Sequence, residues 1–350
     1  MFQRALIATV ILSFCAGMLA AETGALFAVA EEYNQEYRRL QLDRELTRLR
    51  LERQSIQSRD DLDRLQATDA ALVARREYRR GLETFYHSVL DAAFAVPADE
   101  FRRDIAGLQA ARASEQLRQV ELRFQRGIVP RTEVIHAQIA LRAALRDEEI
   151  ARWSLEDSRI AFRDMFGRDW DYLVLPRIDS PDALPDALPG PPGAAEDLRD
   201  VWTDAHLGLA RAGIAAEIAR FRRDRLPGNA PLFDRRIADA EVELAEFELT
   251  RARSEAERQY EEITRMHRSQ VQTILIRREE MDLQEELARE SRRAFDRGLA
   301  TSLDRDQAAI QHLQARIQLL NAELAYLRTG VTWMLALDGT PSGASPEPVR

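Results

Sequence analysis

Two stretches decide the fold: Arg123-Phe-Gln-Arg-Gly-Ile-Val-Pro-Arg-Thr-Glu-Val-Ile-His-Ala-Gln138 and Ala294-Phe-Asp-Arg-Gly-Leu-Ala-Thr-Ser-Leu-Asp-Arg-Asp-Gln-Ala-Ala309. Phe124, Arg126, Gly127, Ile128, Glu133 and Ala137 align without a gap to Phe295, Arg297, Gly298, Leu299, Asp304 and Ala308, and the constant offset is 298 − 127 = 171. An internal repeat of this kind has to be read before any single motif. In each copy an apolar-periodic helix runs into Gly, the residue that enters the left-handed C′ conformation at least cost. Thr301 followed three residues later by Asp304 has the form of a capping box opening a new helix. Pro130 suits a first helical turn in the other copy. Each copy is thus a helical hairpin with Gly at the bend.

Long helices flank both bends. The last one carries Ile310, Leu313, Ile317, Leu320, Leu324, Leu327, Val331 and Met334, a spacing that alternates three and four as in a coiled-coil seam. Ile237, Ala240, Leu244 and Phe247 repeat the rule, and Ile274, Met281, Ala288 and Phe295 fall seven apart. Leu141, Leu145, Ile150, Trp153 and Ile160 spread over more than one stripe, which suits a helix with neighbours on two sides. Each copy therefore reads as a first helix (26–56 or 196–226), a short break, a very long helix (62–126 or 234–297), the bend, and a return helix (131–166 or 302–338). A helix of about 65 residues is about 98 Å long. Such helices cannot bury their seams within one chain, so self-association around a rotation axis is expected. Pro97 is expected to kink or break the first long helix.

Composition agrees with this all-α, two-repeat coiled-coil reading, with little or no strand. Ala, Leu, Arg and Glu make up roughly half of the chain, as in long helices. Of the 350 residues 45% are hydrophobic and only 7% aromatic, against the usual sandwich or barrel. All 50 basic residues are Arg, and the net charge of −9 argues against nucleic acid as a partner.

At the N-terminus, Arg4 precedes an apolar run from Ala5 to Ala20 and then small residues before Glu22, the pattern of a secretory signal peptide cut after Ala21 or Ala25. An uncleaved membrane anchor is the alternative. The only Cys, Cys15, follows Phe14, whereas a lipidated Cys follows a small residue. The organisation expected is a signal peptide at 1–21, repeat 1 at 22–168, a Pro-rich connector at 169–195, repeat 2 at 196–340 and a disordered tail at 341–350. Trp170 and Tyr172 are placed to pin the connector. Tyr33, Tyr37 and Leu40 read as packing residues of the first helix.

Sites for chemistry are sparse. His87, His136, His206, His267 and His312 are scattered without the spacing of a zinc site, and no phosphate loop or nucleophile elbow is present. Pairs such as Glu148-Glu149, Glu261-Glu262 and Glu279-Glu280 read as solvated faces. No catalytic residue, metal or cofactor is assigned, and an enzyme is not expected.

With these residues in view, the chain resembles the TolC family of outer-membrane efflux ducts. That family carries two tandem repeats, each with a hairpin bend reading Arg-aromatic-x-x-Gly-Leu-x-Ser-x-x-Asp-Val-Leu-x-Ala-Gln. Arg123-Phe124 through Gly127-Ile128, Glu133-Val134-Ile135 and Ala137-Gln138 match it, as do Phe295, Gly298-Leu299, Thr301, Leu303-Asp304 and Ala308. Met165-Phe166-Gly167 and Leu337-Asp338-Gly339 resemble the ends of the family's repeats, and Ala205-His206-Leu207-Gly208-Leu209-Ala210 its second opening helix. The resemblance spans about 25–340.

It implies a homotrimeric 12-helix duct giving a passive route in a tripartite export system with a periplasmic adaptor (membrane fusion) protein and an inner-membrane pump. It also implies export to the periplasm or the outer membrane. Arg126, Gly127, Ile128, Arg297, Gly298 and Leu299 would be the adaptor-docking bends. Glu133 and Asp304 would line the duct mouth.

One departure is conspicuous. The family inserts two β-strands between the first and the long helix of each repeat, and a spanning strand needs roughly 9–11 residues of alternating polarity. The segments between Leu51 and Leu62 and between Leu226 and Ile237 are too short for a hairpin. A duct without its own membrane barrel is therefore expected, one that either reaches the outer membrane through another protein or stops in the periplasm. The alternative is a periplasmic coiled-coil scaffold that has lost transport. A chaperone with helical arms fits the duplicated bends less well.

Overall fold

The structure, a computed structural model, describes residues 18–57, 60–170 and 195–337. Among these residues there are eight helices and no strand. They are α1 (Met18–Tyr33), α2 (Gln35–Gln57), α3 (Asp61–Gln125), α4 (Arg131–Phe166), α5 (Ala195–Ala205), α6 (Leu207–Asp224), α7 (Leu232–Asp296) and α8 (Ser302–Ala336). Both α3 and α7 have 65 residues, and α3, α7, α4 and α8 start at positions that keep the offset of the two bends. The all-α reading holds. Most of the expected signal peptide, Cys15, Tyr172, most of the connector and the tail lie outside the described residues.

Three expectations change. Each opening helix is two helices rather than one. Asn34 ends α1 and accepts the Glu36 N–H on its side-chain oxygen at 2.8 Å, capping α2. His206 does the same for α6: its Nδ1 accepts the Leu209 N–H at 3.1 Å while its Nε2–H donates to Gln259 Oε1 at 3.1 Å. The imidazole lies so close to Gly208 that a Cβ there would stand 2.9 Å from His206 Cε1. The third change is at Pro97, where α3 continues unbroken. Its neighbours Phe94, Val96 and Ala98 are buried. Their packing outweighs the loss of one ladder bond and the ring clash, which together cost about 3 kcal/mol.

The chain divides into two units, Met1–Ser88 with Asp182–Arg268 and Arg328–Arg350, and Val89–Pro181 with Ser269–Leu327. In the first unit, α1 and α2 lie along α3. Phe27 meets Tyr86 edge-on at 4.9 Å, Tyr86 donates to Glu31 at 2.6 Å, and Tyr37 packs on Phe85 at 5.1 Å. Leu40 sits where a Cβ on Gly81 would come within 2.7 Å, so Gly81 permits the close approach of α2 to α3. Burial, with Glu31 adding to it, raises the Tyr37 pKa to about 12. A second aromatic cluster ties α5, α7 and the end of α8: Trp202 stacks on Trp333 at 5.2 Å, Tyr260 flanks them, and the Trp202 indole N–H donates to the Ala256 carbonyl at 3.0 Å.

α6 joins α3 through Arg211 and Asp69 (2.8 Å) and α7 through Arg220 and Glu246 (2.8 Å). At the second break, residues 225–231 form a turn closed by the Ala230 N–H on the Pro227 carbonyl at 2.9 Å, with no strand. At the first, α2 ends at Gln57 and Asp60 already caps α3 by accepting the Asp63 N–H at 2.9 Å. Among the described residues no helix is long and apolar enough to cross a membrane.

The second unit is a layer of helices in the order α4, α3, α8, α7. Ser158 on α4 hydrogen-bonds Asp99 on α3, Arg112 on α3 donates to Gln307 on α8, and Arg277 on α7 donates to Gln318 on α8 at 2.8 Å. Arg316 of α8 also lies over the Phe101 ring at 4.1 Å. At the end of α4, Gly167 takes φ 64° and donates to the Arg163 carbonyl at 2.7 Å. Trp170 folds back edge-on against Phe162 at 5.2 Å, so it packs on the helix it follows.

Candidate functional site

Both bends lie in the second unit and are near-copies of each other. Gly127 has φ 70° and Gly298 φ 73°. The Gly127 N–H donates to the Phe124 carbonyl at 2.8 Å and the Ile128 N–H to the Arg123 carbonyl at 2.9 Å. In the other copy Gly298 donates to Phe295 at 2.9 Å and Leu299 to Ala294 at 2.8 Å. These are the two bonds of a Schellman motif, which satisfies the last helical carbonyls. In that motif the residue after Gly commonly packs back onto the helix. Here Ile128 is 65% and Leu299 77% exposed. Each bend thus ends in a bare aliphatic side chain next to an exposed Arg126 or Arg297.

The two bends differ in how the next helix starts. Thr301 and Asp304 form the reciprocal box read from the sequence. The Asp304 N–H donates to Thr301 Oγ1 at 3.2 Å, the Thr301 N–H donates to Asp304 Oδ2 at 3.0 Å, and the Thr301 hydroxyl donates to the same oxygen at 2.7 Å. The hydroxyl first and the backbone N–H second hold the Asp304 carboxyl below its ordinary pKa. In the other copy Pro130 is the N-cap itself, not the first helical residue, and provides no side-chain cap. Glu133 is exposed in the first turn of α4, where a carboxylate suits the helix dipole. Arg305 lies over the Phe295 ring at 4.5 Å, whereas the position equivalent to Arg305 is Val134. Phe124 is left exposed.

The edges of the layer complete the picture. α4 buries only Leu155, Phe162 and Phe166, while Ile139, Trp153 and Ile160 are exposed. Among the described residues, the stripe read as evidence of two neighbours has one of them, α3. On α7, Ile276, Leu283 and Leu287 are exposed in this unit. The expected seam of Ile237, Leu244 and Phe247 is likewise open in the other unit. Periodicity marks these rows in the sequence, but it does not place them on outer helices.

The acidic pairs are engaged locally: Glu148 pairs with Arg152 at 2.5 Å and Glu280 with Arg277 at 2.6 Å. Among the described residues no group of three or more His, Cys, Asp and Glu could hold a metal ion. A groove between α3, α6 and α7 in the first unit is lined by Gly208, Ala212, Ala215 and Ala219 and crossed by the Arg211–Asp69 pair.

No family model matches this sequence, and no curated protein is significantly similar to it. Solved structures do match. A membrane protein from Pseudomonas aeruginosa is 15% identical, with 94% of this chain and 93% of that chain covered at a TM-score of 0.57. The open state of the Neisseria gonorrhoeae MtrE outer membrane channel is 15% identical, with 91% and 89% covered at 0.53. The outer membrane protein VceC of Vibrio cholerae is 13% identical, with 91% and 97% covered at 0.54. The chain shares its helical fold with these membrane proteins, among them the outer membrane channel MtrE and the outer membrane protein VceC.

Proposed function

We propose that the chain is one protomer of a TolC-like envelope duct, a homotrimer that gives solutes a passive route in a tripartite export system. The observation that carries this reading is the four-helix layer with an apolar row open on each outer helix, α4 and α7. Rows on opposite edges of one chain pair head to tail with those of the next copy, a contact that either closes into a ring or runs on as a filament. Three copies of a four-helix layer give 12 helices around an axis. Likeness in fold to outer-membrane channels supports the closed ring and an exported, envelope-associated location.

In this reading the bends are the docking tips for a periplasmic adaptor that links the duct to an inner-membrane pump. Arg126, Gly127 and Ile128, with Arg297, Gly298 and Leu299, form the contacts. The support is the exposure of Ile128 and Leu299 where the capping motif usually packs that side chain away. Glu133 and Asp304 stand beside the tips as mouth acids, and Glu133 is the one with its carboxylate uncommitted to a capping box. The strandless breaks favour a second reading, a periplasmic scaffold derived from the same fold without transport.

Mass measurement and negative-stain imaging of the purified protein separate the two. The duct gives a trimer with a central hole, the scaffold a solid rod or dimer. Trp153→Glu with Leu283→Glu is expected to leave helicity intact and to raise the dissociation constant of the assembly more than about tenfold, because two desolvated anchors become charges. Docking is tested by Gly127→Asp and Gly298→Asp. A Cβ at either position meets nothing within 4 Å, and Asp tolerates the left-handed region better than most residues. Loss of adaptor co-purification with unchanged helicity is the expected result. Unchanged co-purification removes the docking assignment.

A further inference from the structure

The end of the first unit opposite in sequence to the bends, where α2 gives way to α3 and α6 to α7, carries an unusual combination of side chains. Ile56 is 79%, Leu232 62% and Phe233 74% exposed. Arg225 reaches Asp60 at 3.5 Å, so the two breaks form one tip. The chain is acidic overall at −9, yet the two breaks, residues 58–64 and 220–236, together hold eight Arg against five Asp. The bend segment 292–306, by contrast, is nearly balanced, with four Arg against three Asp.

Of the acidic groups at this tip, Asp224 pairs with Arg223 at 2.7 Å, Asp60 with Arg225 and Asp61 with Arg64 at 3.1 Å, while Asp234 stands in the first turn of α7. Arg235 and Arg236 are exposed in the same stretch of α7 as Leu232 and Phe233, Arg235 also donating to the Gly228 carbonyl, and Arg222 is exposed near the end of α6. Bare aliphatic and aromatic side chains set among arginines have the chemistry of an interfacial membrane contact. There the apolar groups enter the acyl boundary while the guanidinium groups meet lipid phosphates.

We propose that this tip binds directly to an anionic phospholipid surface, inserting Ile56, Leu232 and Phe233 among the headgroups with Arg222, Arg235 and Arg236 on the phosphates. The charge complementarity favours lipid over a second copy of this chain, whose own tip would bring the same excess of arginine. The assignment goes beyond the duct reading and does not need it. A monomer with this tip binds vesicles whether or not three copies close a ring.

The test uses the purified protein with a tryptophan reporter beside the start or the end of α7, Phe233→Trp or Leu299→Trp, and vesicles of phosphatidylcholine with or without brominated phosphatidylglycerol. Phe233→Trp fluorescence is expected to be quenched by the brominated anionic vesicles, and less so in about 0.5 M salt, where the Debye length falls to a few ångströms. Leu299→Trp is expected to be unaffected. Leu232→Glu with Phe233→Glu is expected to weaken vesicle binding at least about tenfold. The N-terminal apolar run and the four native tryptophans are common to every variant, so each spectrum is read as its difference from that of the unsubstituted protein, and that difference reads the tip. Equal quenching at both ends, or none at Phe233→Trp, overturns the proposal. A Phe233→Trp emission already shifted to the blue without lipid also overturns it, because a second copy then covers the tip. Undiminished binding by the double variant does so as well.

Discussion

α4 and α8 are one element written twice, and their surroundings make them opposites. Both follow a left-handed Gly, start at matched positions and run 36 and 35 residues. α8 lies between α3 and α7 in the second unit and buries Ile310, Ala315 and Leu327, then Val331, Trp333 and Leu335 in the first. α4 lies at the edge with Ile139, Trp153 and Ile160 in solvent. Helix formation is fixed locally by cap and periodicity, whereas burial is fixed by which neighbours the chain supplies. The difference shows which helix face the described residues cover and which they leave open.

Truncating a side chain in each helix should break or sharpen this contrast most. Trp333→Ala removes the stacked partner of Trp202 and is expected to cost about 3–5 kcal/mol in unfolding free energy. Trp153→Ala on the exposed face of α4 is expected to stay within about 0.5 kcal/mol in the monomer. Denaturant titration at low protein concentration checks both, and a large cost at Trp153 would mean that α4 is packed within the chain.

Next come the bends, where the copies should behave alike. Gly127→Val and Gly298→Val force a β-branched residue to φ near +70°, a cost of about 1–2 kcal/mol each by thermal unfolding. The caps should then part them again. Thr301→Ala is expected to cost about 1 kcal/mol, and Pro130→Ala only a few tenths, since Pro130 accepts nothing through its side chain.

The smallest effect is electrostatic. The folded-state pKa of Asp304 is depressed, so its stabilisation is present above the ordinary carboxylate pKa and is lost as pH falls through the folded value. Asp304→Asn should therefore flatten the acid side of the stability profile slightly. Glu133→Gln, at a helix start without such a box, serves as the comparison.

The bends and the repeat were legible because glycine, Thr301 and Asp304 act through bonds reaching only three to five residues. The breaks at Asn34 and His206 were not, because both interrupt otherwise helical sequence through a cap bond to a residue two or three positions on. The imidazole of His206 needs Gln259, 53 positions away, to complete its hydrogen bonding. The continuity of α3 through Pro97 has a related reason: the packing of Phe94 and Val96 keeps helical a stretch that local chemistry disfavours. Of the candidate site, the glycines and their neighbours were readable. The bare state of Ile128 and Leu299 was not, since periodicity does not reveal whether a side chain folds back. The edge position of α4 depends on the order of helices in the layer, which no single stripe encodes.

The equal length of α3 and α7 has an evolutionary consequence. Each added residue advances a helix by about 1.5 Å and turns it by about 100°. An insertion in α3 alone would therefore raise one bend above the other and swivel every side chain beyond it off its row. Lineages that lengthen or shorten this protein are bound to edit both helices together, in steps of about seven residues that restore the heptad phase.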